Sequence, residues 1–249
     1  MSIVLEGLRK SFGPRVVLDG LDLSVKDGQT VVVIGASGSG KSVMLKSIVR
    51  LLEVDAGSIQ VDGEPAGLLD REGLYALRRR IGYVFQFAAL FDSMSVFDNV
   101  AMGLRRAKVP EPEVAERVHE SLRRVEMEGY DDRLPAQLSG GQRKRIGLAR
   151  AITTQPKYLL YDEPTTGLDP VTTTIIDRLV MRMSEELGVT SIVVTHDMTS
   201  AYRIADRIAM LHEGRIRQVG TPDEIRATED PVVRGFIEGR PELAGEAAA

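Results

Sequence analysis

The sequence predicts an α/β fold with a mainly parallel β-sheet, and three observations support this prediction. Residues 30–34 form a continuous, mostly β-branched run, which is typical of a strand buried on both faces. From residue 139 onward, apolar strand patterns alternate with helical spacings, as in chains that join parallel strands by helices. The 249 residues are 43% hydrophobic and 27% charged, enough apolar material for a sizeable core. One large domain, or a core with a smaller subdomain, therefore fits better than a string of modules.

The N-terminal residues are predicted to form an antiparallel part made of short strands. Apolar residues alternate at 3–5 and again at 21–25, and the Asp27-Gly28 pair that follows indicates a turn. After a glycine-rich loop, apolar residues have helical spacing over 41–52, and a further strand is predicted at 58–61.

The middle of the chain changes character. Helical patterns are centred on 95–106 and 111–127, and no clear strand pattern occurs between 87 and 137. We therefore expect an inserted α-helical subdomain here. The elements predicted after it are a helix that follows Ser139, a strand at 158–162, a helix at 171–187, a strand at 191–195, a helix at 199–205, and strands near 208–211 and 216–219.

Composition excludes several classes of protein. The net charge of −4 gives no bulk attraction to nucleic acid, and the absence of cysteine excludes a disulfide scaffold, a cysteine zinc site and thiol catalysis. The apolar run Val31–Ile34 is far shorter than the roughly 20 residues of a membrane-spanning helix, and residues 1–6 do not resemble a signal peptide. We expect a soluble, cytoplasmic chain that reaches any membrane through a partner.

Basic residues cluster at 78–80, 105–106 and 143–145, a pattern that can indicate nucleic-acid binding. No aromatic residues are interleaved with these clusters, and the net charge is negative. We therefore expect them to form solvated helix surface, and we expect no nucleic-acid partner.

Gly35–Ser42 matches the phosphate-loop pattern G-x-x-x-x-G-K-[ST] between a predicted strand and a predicted helix. Its glycines allow backbone N–H groups to surround phosphate oxygens at the positive end of the helix. The Lys41 side chain would reach the β- and γ-phosphates, and the Ser42 hydroxyl would bind Mg²⁺. This motif predicts a P-loop NTPase core with ATP and Mg²⁺ as ligands.

Two carboxylates close the predicted strand at 158–162. Because ligands sit beyond the carboxyl ends of parallel strands, we expect Asp162 and Glu163 to face the phosphate loop. Asp162 suits the Mg²⁺ side of such a site, and Glu163 would orient or deprotonate the attacking water. His196 follows another predicted strand in the same way, as a sensor of the γ-phosphate. The remaining histidines, His119 and His212, are interpreted as solvated surface residues.

A second loop, Leu138–Gln142, opens a helix with small residues and offers another N-terminus suited to anions. Two phosphate-binding loops and one acidic pair are an unusual inventory for a monomer. The inventory makes sense if each loop serves a different nucleotide across a twofold interface, since a symmetric dimer would then hold two composite sites.

The order of these motifs, together with Gln86 and Asp169, resembles the ATP-binding-cassette (ABC) ATPases over roughly residues 3–220. The resemblance implies that Phe12 stacks on adenine, and that Gln86 contacts Mg²⁺ and relays to a transmembrane permease. It also implies a homodimer in which Ser139 and Gly141 touch the γ-phosphate held by the other copy, with Asp169 at the interface. Phe12 itself departs from the Tyr that is more usual in the family, which removes a hydroxyl and leaves stacking intact.

The expected site residues fall into three groups. For catalysis they are Glu163, His196 and Gln86, and for the metal they are Ser42, Gln86 and Asp162. For the nucleotide they are Phe12, Gly35, Ala36, Ser37, Gly38, Ser39, Gly40, Lys41, Ser42, Val43, Ser139, Gly140, Gly141, Gln142 and Asp169.

The resemblance also implies a division of the chain. The nucleotide-binding domain is expected to cover residues 1–240, with its catalytic core at 1–86 and 138–220 and its helical subdomain at about 87–137. Residues 221–249 are expected to form a C-terminal helical extension or tail.

The segment 87–101 carries a finer resemblance, to the ATPases of Mla-type, Mce-associated phospholipid transporters, and residues 134–137 and 162–172 also fit it. This resemblance implies phospholipid movement between membranes, and with it outer-membrane lipid asymmetry. It implies a permease dimer of the Mla type, a lipid-binding MCE subunit and a small regulatory subunit as partners, and a peripheral place on the cytoplasmic face of the inner membrane. The alternative is that the apolar residues of this segment are only the inner face of the helical subdomain.

Three other functions stay open at this point. The chain could serve another ABC importer or exporter, for example one for amino acids or organic solvents. It could be a soluble ABC ATPase of DNA repair or translation, although it has no second cassette, long coiled-coil insertion or basic arm. It could be an inactive nucleotide-binding module. This alternative is disfavoured because the residues expected to carry catalysis are intact, namely Lys41, Asp162, Glu163 and His196.

Overall fold

A computed structural model describes residues 2–240 of the chain. The strands in this part are β1 (Ile3–Phe12), β2 (Arg15–Val25), β3 (Thr30–Ile34), β4 (Ala56–Val61), β5 (Glu64–Pro65), β6 (Ile81–Val84), β7 (Tyr158–Asp162), β8 (Thr190–Thr195), β9 (Arg207–His212) and β10 (Arg215–Gly220). The α-helices are α1 (Lys41–Ile48), α2 (Arg71–Arg79), α3 (Val96–Arg106), α4 (Glu111–Arg124), α5 (Gly140–Ile152), α6 (Pro170–Leu187), α7 (Met198–Ile204), α8 (Pro222–Arg226) and α9 (Pro231–Glu238).

The first of two compact units comprises the described residues 2–77 and 190–240. It contains an antiparallel sheet in the order β2-β1-β4-β5, and four further strands in the order β10-β9-β3-β8. Strand β3 pairs in parallel with both β8 and β9, whereas β10 pairs antiparallel with β9. Every residue of β3 is buried, as its β-branched sequence predicts.

The second unit is Arg78–Val189. Its strands β6 and β7 are parallel, and helix α5 packs on β6 and against α3, α4 and α6. The segment expected to be a helical subdomain contains α3 and α4. Within residues 2–240, no helix combines the length and the apolar character needed to cross a bilayer.

Several predicted elements differ from the observed ones. Strands β1 and β2 have 10 and 11 residues rather than being short, because a register shift between Leu5 and Leu8 interrupts the alternation that the sequence shows. Helix α1 ends at Ile48 instead of near residue 52, since Arg50 has a left-handed φ of 50°. The predicted C-terminal extension contains α8 and α9, and its residues 241–249 lie outside the described residues.

Sequence reasoning missed α2 and β6. Helix α2 is dominated by charged residues, so its apolar stripe is thin, and only Leu77 is buried. Strand β6 has four residues and contains a glycine, Gly82, where a Cβ would lie 2.6 Å from the carbonyl oxygen of Ala151. A strand that short carries little periodicity, although it ends two residues before Gln86.

Asn99 fixes the start of the segment that follows Gln86. Its fully buried side chain donates from Nδ2 to the carbonyl oxygens of Phe91, Met94 and Ser95 at 2.9–3.1 Å. Its Oδ1 accepts a hydrogen bond from the Phe91 N–H at 2.8 Å. One side chain therefore satisfies four backbone groups of this loop.

We expect Asn99→Leu to lower the free energy of unfolding by about 3 kcal/mol, because it removes these bonds and leaves buried backbone groups unsatisfied. Thermal unfolding should show a midpoint lower by roughly 6–12 °C for a chain of this size. Met102→Leu on the same helix, a swap that nearly conserves volume, is the control and should cost less than about 1.5 kcal/mol. Equal midpoints for the two variants would contradict the role given to Asn99.

Candidate functional site

The phosphate loop of the first unit joins β3 to α1, and its backbone path requires glycine. Gly35, Gly38 and Gly40 all have positive φ angles, of 155°, 78° and 107°. A Cβ on Gly35 would lie 2.4 Å from the carbonyl oxygen of Leu211, and one on Gly40 would lie 3.0 Å from that of Val17. The loop therefore closes tightly against neighbouring backbone, and its own N–H groups gather at the start of α1.

Lys41 is the first residue of α1 and is only 5% exposed. Its ammonium Nζ donates to the carbonyl oxygens of Gly35 at 2.8 Å and Ala36 at 3.0 Å, so the side chain folds back over the loop. A buried cation at the N-terminus of a helix suits the polyphosphate of a nucleotide. The residues of this loop fit ATP.

The structure places two other predicted residues in the same unit. His196 follows β8, and the register pairs Thr195 with Ile34, so His196 and Gly35 leave the sheet side by side. Phe12 ends β1 opposite Arg15, whose Nη2 donates to the Gly38 carbonyl at 3.4 Å. The half-exposed Phe12 ring therefore lies at a hairpin tip beside the phosphate loop, as adenine stacking would require.

The second unit holds the acidic pair at the end of β7. Asp162 is 4% exposed, and its Oδ2 accepts a hydrogen bond from the Tyr83 hydroxyl at 3.1 Å. Burial raises the pKa of Tyr83 well above its ordinary value, and the Asp162 charge and the hydrogen bond to it raise that pKa further. The hydroxyl is therefore a permanent donor to Asp162 at neutral pH.

Glu163 is 8% exposed and has a left-handed φ of 51°, a conformation that is unfavourable for a residue with a Cβ. Its Oε2 accepts from the Thr166 hydroxyl at 2.9 Å, and its carbonyl oxygen accepts from Lys144 Nζ at 3.1 Å. Strain of this kind is typical of functional positions that their surroundings hold in place.

Lys144 contradicts the expectation that the basic cluster at 143–145 is solvated surface. It is 7% exposed, and burial lowers its pKa to about 8 while the charges of Glu163 and Asp162 act in the opposite direction. Its helix, α5, turns this side chain inward toward the end of β7, whereas Arg143 is exposed. A run of three basic residues is too short for its periodicity to show that Lys144 faces inward.

Gln86 lies at the same sheet edge as the acidic pair. Strands β6 and β7 are parallel with Val84 opposite Tyr161, so Gln86 and Asp162 both lie just beyond the paired residues. Ser42, the other expected metal ligand, is partly buried in α1 of the first unit. Side-chain amide, carboxylate and hydroxyl oxygens are the ligands that Mg²⁺ takes from proteins, so the donor set fits this ion.

The second loop forms the N-terminus of α5. Ser139 is the N-cap, its Oγ accepting from the Gln142 N–H at 3.2 Å, and Gln142 Oε1 accepts from the Ser139 N–H at 2.8 Å. This capping box leaves the N–H groups of Gly140 and Gly141 at the open end of the helix. A Cβ on Gly141 would lie 2.4 Å from Thr172 Cγ2, so glycine permits the close approach of α5 to the start of α6.

Asp169 is the N-cap of α6. Its Oδ1 accepts from the N–H groups of Val171 and Thr172, both at 3.0 Å. Hydrogen bonds from Thr172 hold the pKa of Asp169 below its ordinary value. The cap is the role that the structure shows for this residue, and the expected role at a subunit interface stays a prediction.

Sequence reasoning missed four neighbours of these motifs, namely Arg15, Tyr83, Lys144 and Thr166. Thr166 follows Glu163 closely, so the hydrogen bond between them is local and could have been considered. The other three residues reach the site from elements that are distant in sequence, so no motif or residue spacing predicts them.

Comparisons with known proteins agree with this geometry. The sequence profile of the ABC transporter family matches residues 18–166. The sulfate/thiosulfate import ATP-binding protein CysA 1 of Chromobacterium violaceum is 40% identical, over 100% of this chain and 69% of that protein. The CysA of Caulobacter vibrioides is 43% identical, over 95% of this chain and 70% of that protein. The chain thus spans about 70% of the length of these relatives.

Solved structures show the same fold. The ATP-binding cassette MJ0796, a dimer bound to ADP and Pi, is 34% identical with a TM-score of 0.80, covering 88% of this chain and 98% of that one. The cbiO1 protein from Clostridium perfringens is 32% identical with a TM-score of 0.83, covering 98% and 97%. The fold is therefore that of a P-loop NTPase cassette with an antiparallel part, a mainly parallel part and helical insertions. With a family profile over more than half of its length and relatives above 30% identity, the chain belongs to the ABC transporter family, as an ATPase that binds ATP with Mg²⁺ and couples its hydrolysis to transport.

Proposed function

We propose that this chain is the ATPase subunit of an ABC importer and that it works as a homodimer on a membrane permease. The observation that carries the proposal is the presence of two separate glycine-containing helix N-termini, Gly35–Ser42 and Ser139–Gln142, together with the acidic pair Asp162 and Glu163 at the end of β7. The relatives are named as import proteins, which favours import over export. They also speak against the alternative of a soluble ABC ATPase in DNA repair or translation.

In the phosphate loop, the backbone N–H groups bind the nucleotide phosphates and the Lys41 ammonium neutralises their charge. Gly35, Gly38 and Gly40 make this possible, because their positive φ angles direct successive N–H groups into one concavity. Phe12 stacks on adenine beside this loop. His196, which leaves the sheet next to Gly35, reads the γ-phosphate.

In the acidic pair, the two carboxylates have different roles. Asp162, with Ser42 and Gln86, would hold Mg²⁺, which would supply positive charge against the nucleotide phosphates. Glu163 accepts a proton from the attacking water as the new oxygen–phosphorus bond forms and the bond to the ADP oxygen breaks. The Thr166 hydroxyl keeps one Glu163 oxygen fixed, at 2.9 Å, and thereby orients the carboxylate.

The loop at the start of α5 serves the nucleotide of the other copy. Its free first-turn N–H groups and helix dipole attract the γ-phosphate, and closure of the dimer completes both sites at once. ATP favours the closed dimer only because it binds that form more tightly than the open one. The solved relative MJ0796 is a dimer, which supports this arrangement.

Two cargo classes follow from different observations. Sulfate or a similar small oxyanion is the first candidate, because the relatives above 40% identity carry the name sulfate/thiosulfate import protein. Phospholipid is the second candidate and depends on the resemblance of segment 87–101, with residues 134–137 and 162–172, to Mla-type ATPases. The comparisons do not support the Mla-type assignment or its MCE and regulatory partners, which stay predictions.

The test begins with the tagged chain purified from detergent-solubilised membranes of its host, with the permease identified by mass spectrometry. The complex is then reconstituted in proteoliposomes with ATP inside or outside. ATP-dependent uptake of labelled sulfate supports the first candidate, and ATP-dependent transfer of a labelled phospholipid supports the second. Failure of any integral-membrane protein to co-purify with the chain from solubilised membranes would contradict the transporter subunit itself.

A further inference from the structure

The acidic pair lies at a point where the backbone leaves its favourable conformations. Strand β7 ends at Asp162, and the next residue, Glu163, is left-handed although it carries a side chain. Such a conformation persists only when contacts from elsewhere determine it. Side chains from β6 and from α5 contact this pair.

The contact from α5 is made by Lys144. Burying an ammonium group is unfavourable unless polar or charged partners compensate it. Here the partners are the Glu163 carbonyl oxygen at 3.1 Å and the negative charges of Glu163 and Asp162. The hydrogen bond is made to the main chain of Glu163, so Lys144 restrains the backbone of this residue, whereas the Thr166 hydroxyl holds its carboxylate.

The contact from β6 is made by Tyr83. Its hydroxyl donates to Oδ2 of Asp162 at 3.1 Å, which fixes the orientation of this carboxylate. The ring itself is held by Phe85, with ring centroids 4.4 Å apart in a tilted arrangement. Tyr83 thus restrains the side chain of Asp162, whereas Lys144 restrains the backbone of Glu163.

We propose that Tyr83 and Lys144 are positioning residues that hold Asp162 and Glu163, respectively, in their working geometry. This proposal rests on the roles given above to the acidic pair. Because the two residues restrain different members of that pair, it requires two separable defects. Loss of the Tyr83 hydroxyl should weaken the use of Mg²⁺, and loss of Lys144 should slow the chemical step.

The first arm compares Tyr83→Phe with Tyr158→Phe, a variant that loses the same atom from a fully buried tyrosine at the opposite end of β7. Calorimetry on the full chain measures the binding of a non-hydrolysable ATP analogue across a Mg²⁺ titration. For Tyr83→Phe we expect a Mg²⁺ midpoint raised roughly tenfold, as for a lost hydrogen bond to a charged group, with binding in EDTA unchanged. A midpoint equal to those of the wild type and Tyr158→Phe would overturn the role of Tyr83.

The second arm compares Lys144→Met with Lys157→Met, an exposed lysine of the same unit that changes the net charge equally. Methionine matches the length of lysine but removes the donor to the Glu163 carbonyl, so thermal unfolding of the variant is measured beside its kinetics. The expected result is a kcat lowered by at least roughly tenfold, with the KM for ATP and the Mg²⁺ midpoint unchanged. Lys144→Gln, which keeps an N–H donor, should recover part of the loss.

A wild-type kcat for Lys144→Met, or equal losses in kcat and in nucleotide affinity, would overturn the role of Lys144. If Lys144→Met loses its cooperative unfolding transition, the isosteric Tyr83→Phe arm still decides the proposal. Glu163→Gln separates this proposal from the proposed function. Normal turnover in Glu163→Gln means that the function assigned to the pair is wrong, whereas a slow Glu163→Gln beside a normal Lys144→Met and Tyr83→Phe rejects only the positioning residues.

Discussion

Glu163→Gln is expected to bind ATP as tightly as the wild-type chain and to lose between about 100-fold and 10,000-fold in turnover, because an amide cannot accept the proton of the attacking water. The substitution preserves size. The Thr166 hydroxyl, which lies 2.9 Å from Glu163 Oε2 in the wild type, can donate to the amide oxygen of glutamine instead. Glutamine also adopts the left-handed backbone of this position about as readily as glutamate does. The defect should therefore lie in chemistry and leave folding intact.

The measurement combines phosphate release with size-exclusion chromatography in ATP and Mg²⁺. Blocked hydrolysis should leave an ATP-stabilised dimer that the wild type populates only briefly. Glu224→Gln is the matched control, since it makes the same change in the capping box of the distant helix α8. Turnover by Glu163→Gln at the rate of the control would remove Glu163 from its proposed role.

The phosphate loop could be predicted from the sequence because its function depends on consecutive residues. The positive φ angles at Gly35, Gly38 and Gly40 and the position of Lys41 at the start of α1 all follow from a local pattern. The strand before the loop is buried along its whole length, which its β-branched sequence also predicts. Local consistency of this kind leaves little for tertiary structure to decide.

Lys144 and Tyr83 show what the sequence could not provide. Lys144 lies between two arginines, and a run of basic residues predicts a solvated surface. The packing of α5 turns its side chain toward Glu163. Tyr83 belongs to a strand too short to show a period, and its partner Asp162 is far along the chain. Both contacts depend on which elements become neighbours, and that information is not present in either segment alone.

The finer resemblance finds no support in the comparisons, for a related reason. The segment 87–101 resembles one group of transporters, but most of its buried residues serve the packing of α3, and Asn99 caps the loop that precedes this helix. Phe87 in this segment is 81% exposed, which indicates a contact surface. The exposure of this side chain does not identify the partner. A sequence match carried largely by packing residues therefore says little about the cargo.

Ser139→Asp is expected to abolish turnover while ATP binding to the monomer survives. Asp replaces Ser well as an N-cap, and a negative charge at the start of α5 suits the helix dipole, so the helix should stay folded. The same charge would face the γ-phosphate held by the opposite copy. Because like charges placed together cost several kcal/mol, we expect at least about a 100-fold loss of ATP-driven dimerisation and turnover.

Ser139→Asn is the matched control, since it is a neutral N-cap of nearly the same shape. It should keep turnover within about tenfold of the wild type, and thermal unfolding should give similar midpoints for both variants. If Asn and Asp are equally active, the charge at this position meets no phosphate. If Ser139→Asp hydrolyses ATP at the normal rate, the second loop is only a helix cap and the head-to-tail dimer is wrong.

Mixing Ser139→Asp with Lys41→Ala tests whether the two loops act across the interface. Lys41→Ala removes the cation that neutralises the phosphates in its own loop, and alone it should not bind ATP productively. A mixed dimer contains one composite site with both loops intact and one with both altered. Activity above that of either variant alone would show that Lys41 and Ser139 serve one nucleotide from different copies. Mixing restores activity only if one intact composite site can hydrolyse ATP by itself. The activity of Ser139→Asp alone does not depend on this condition and is therefore the stricter test.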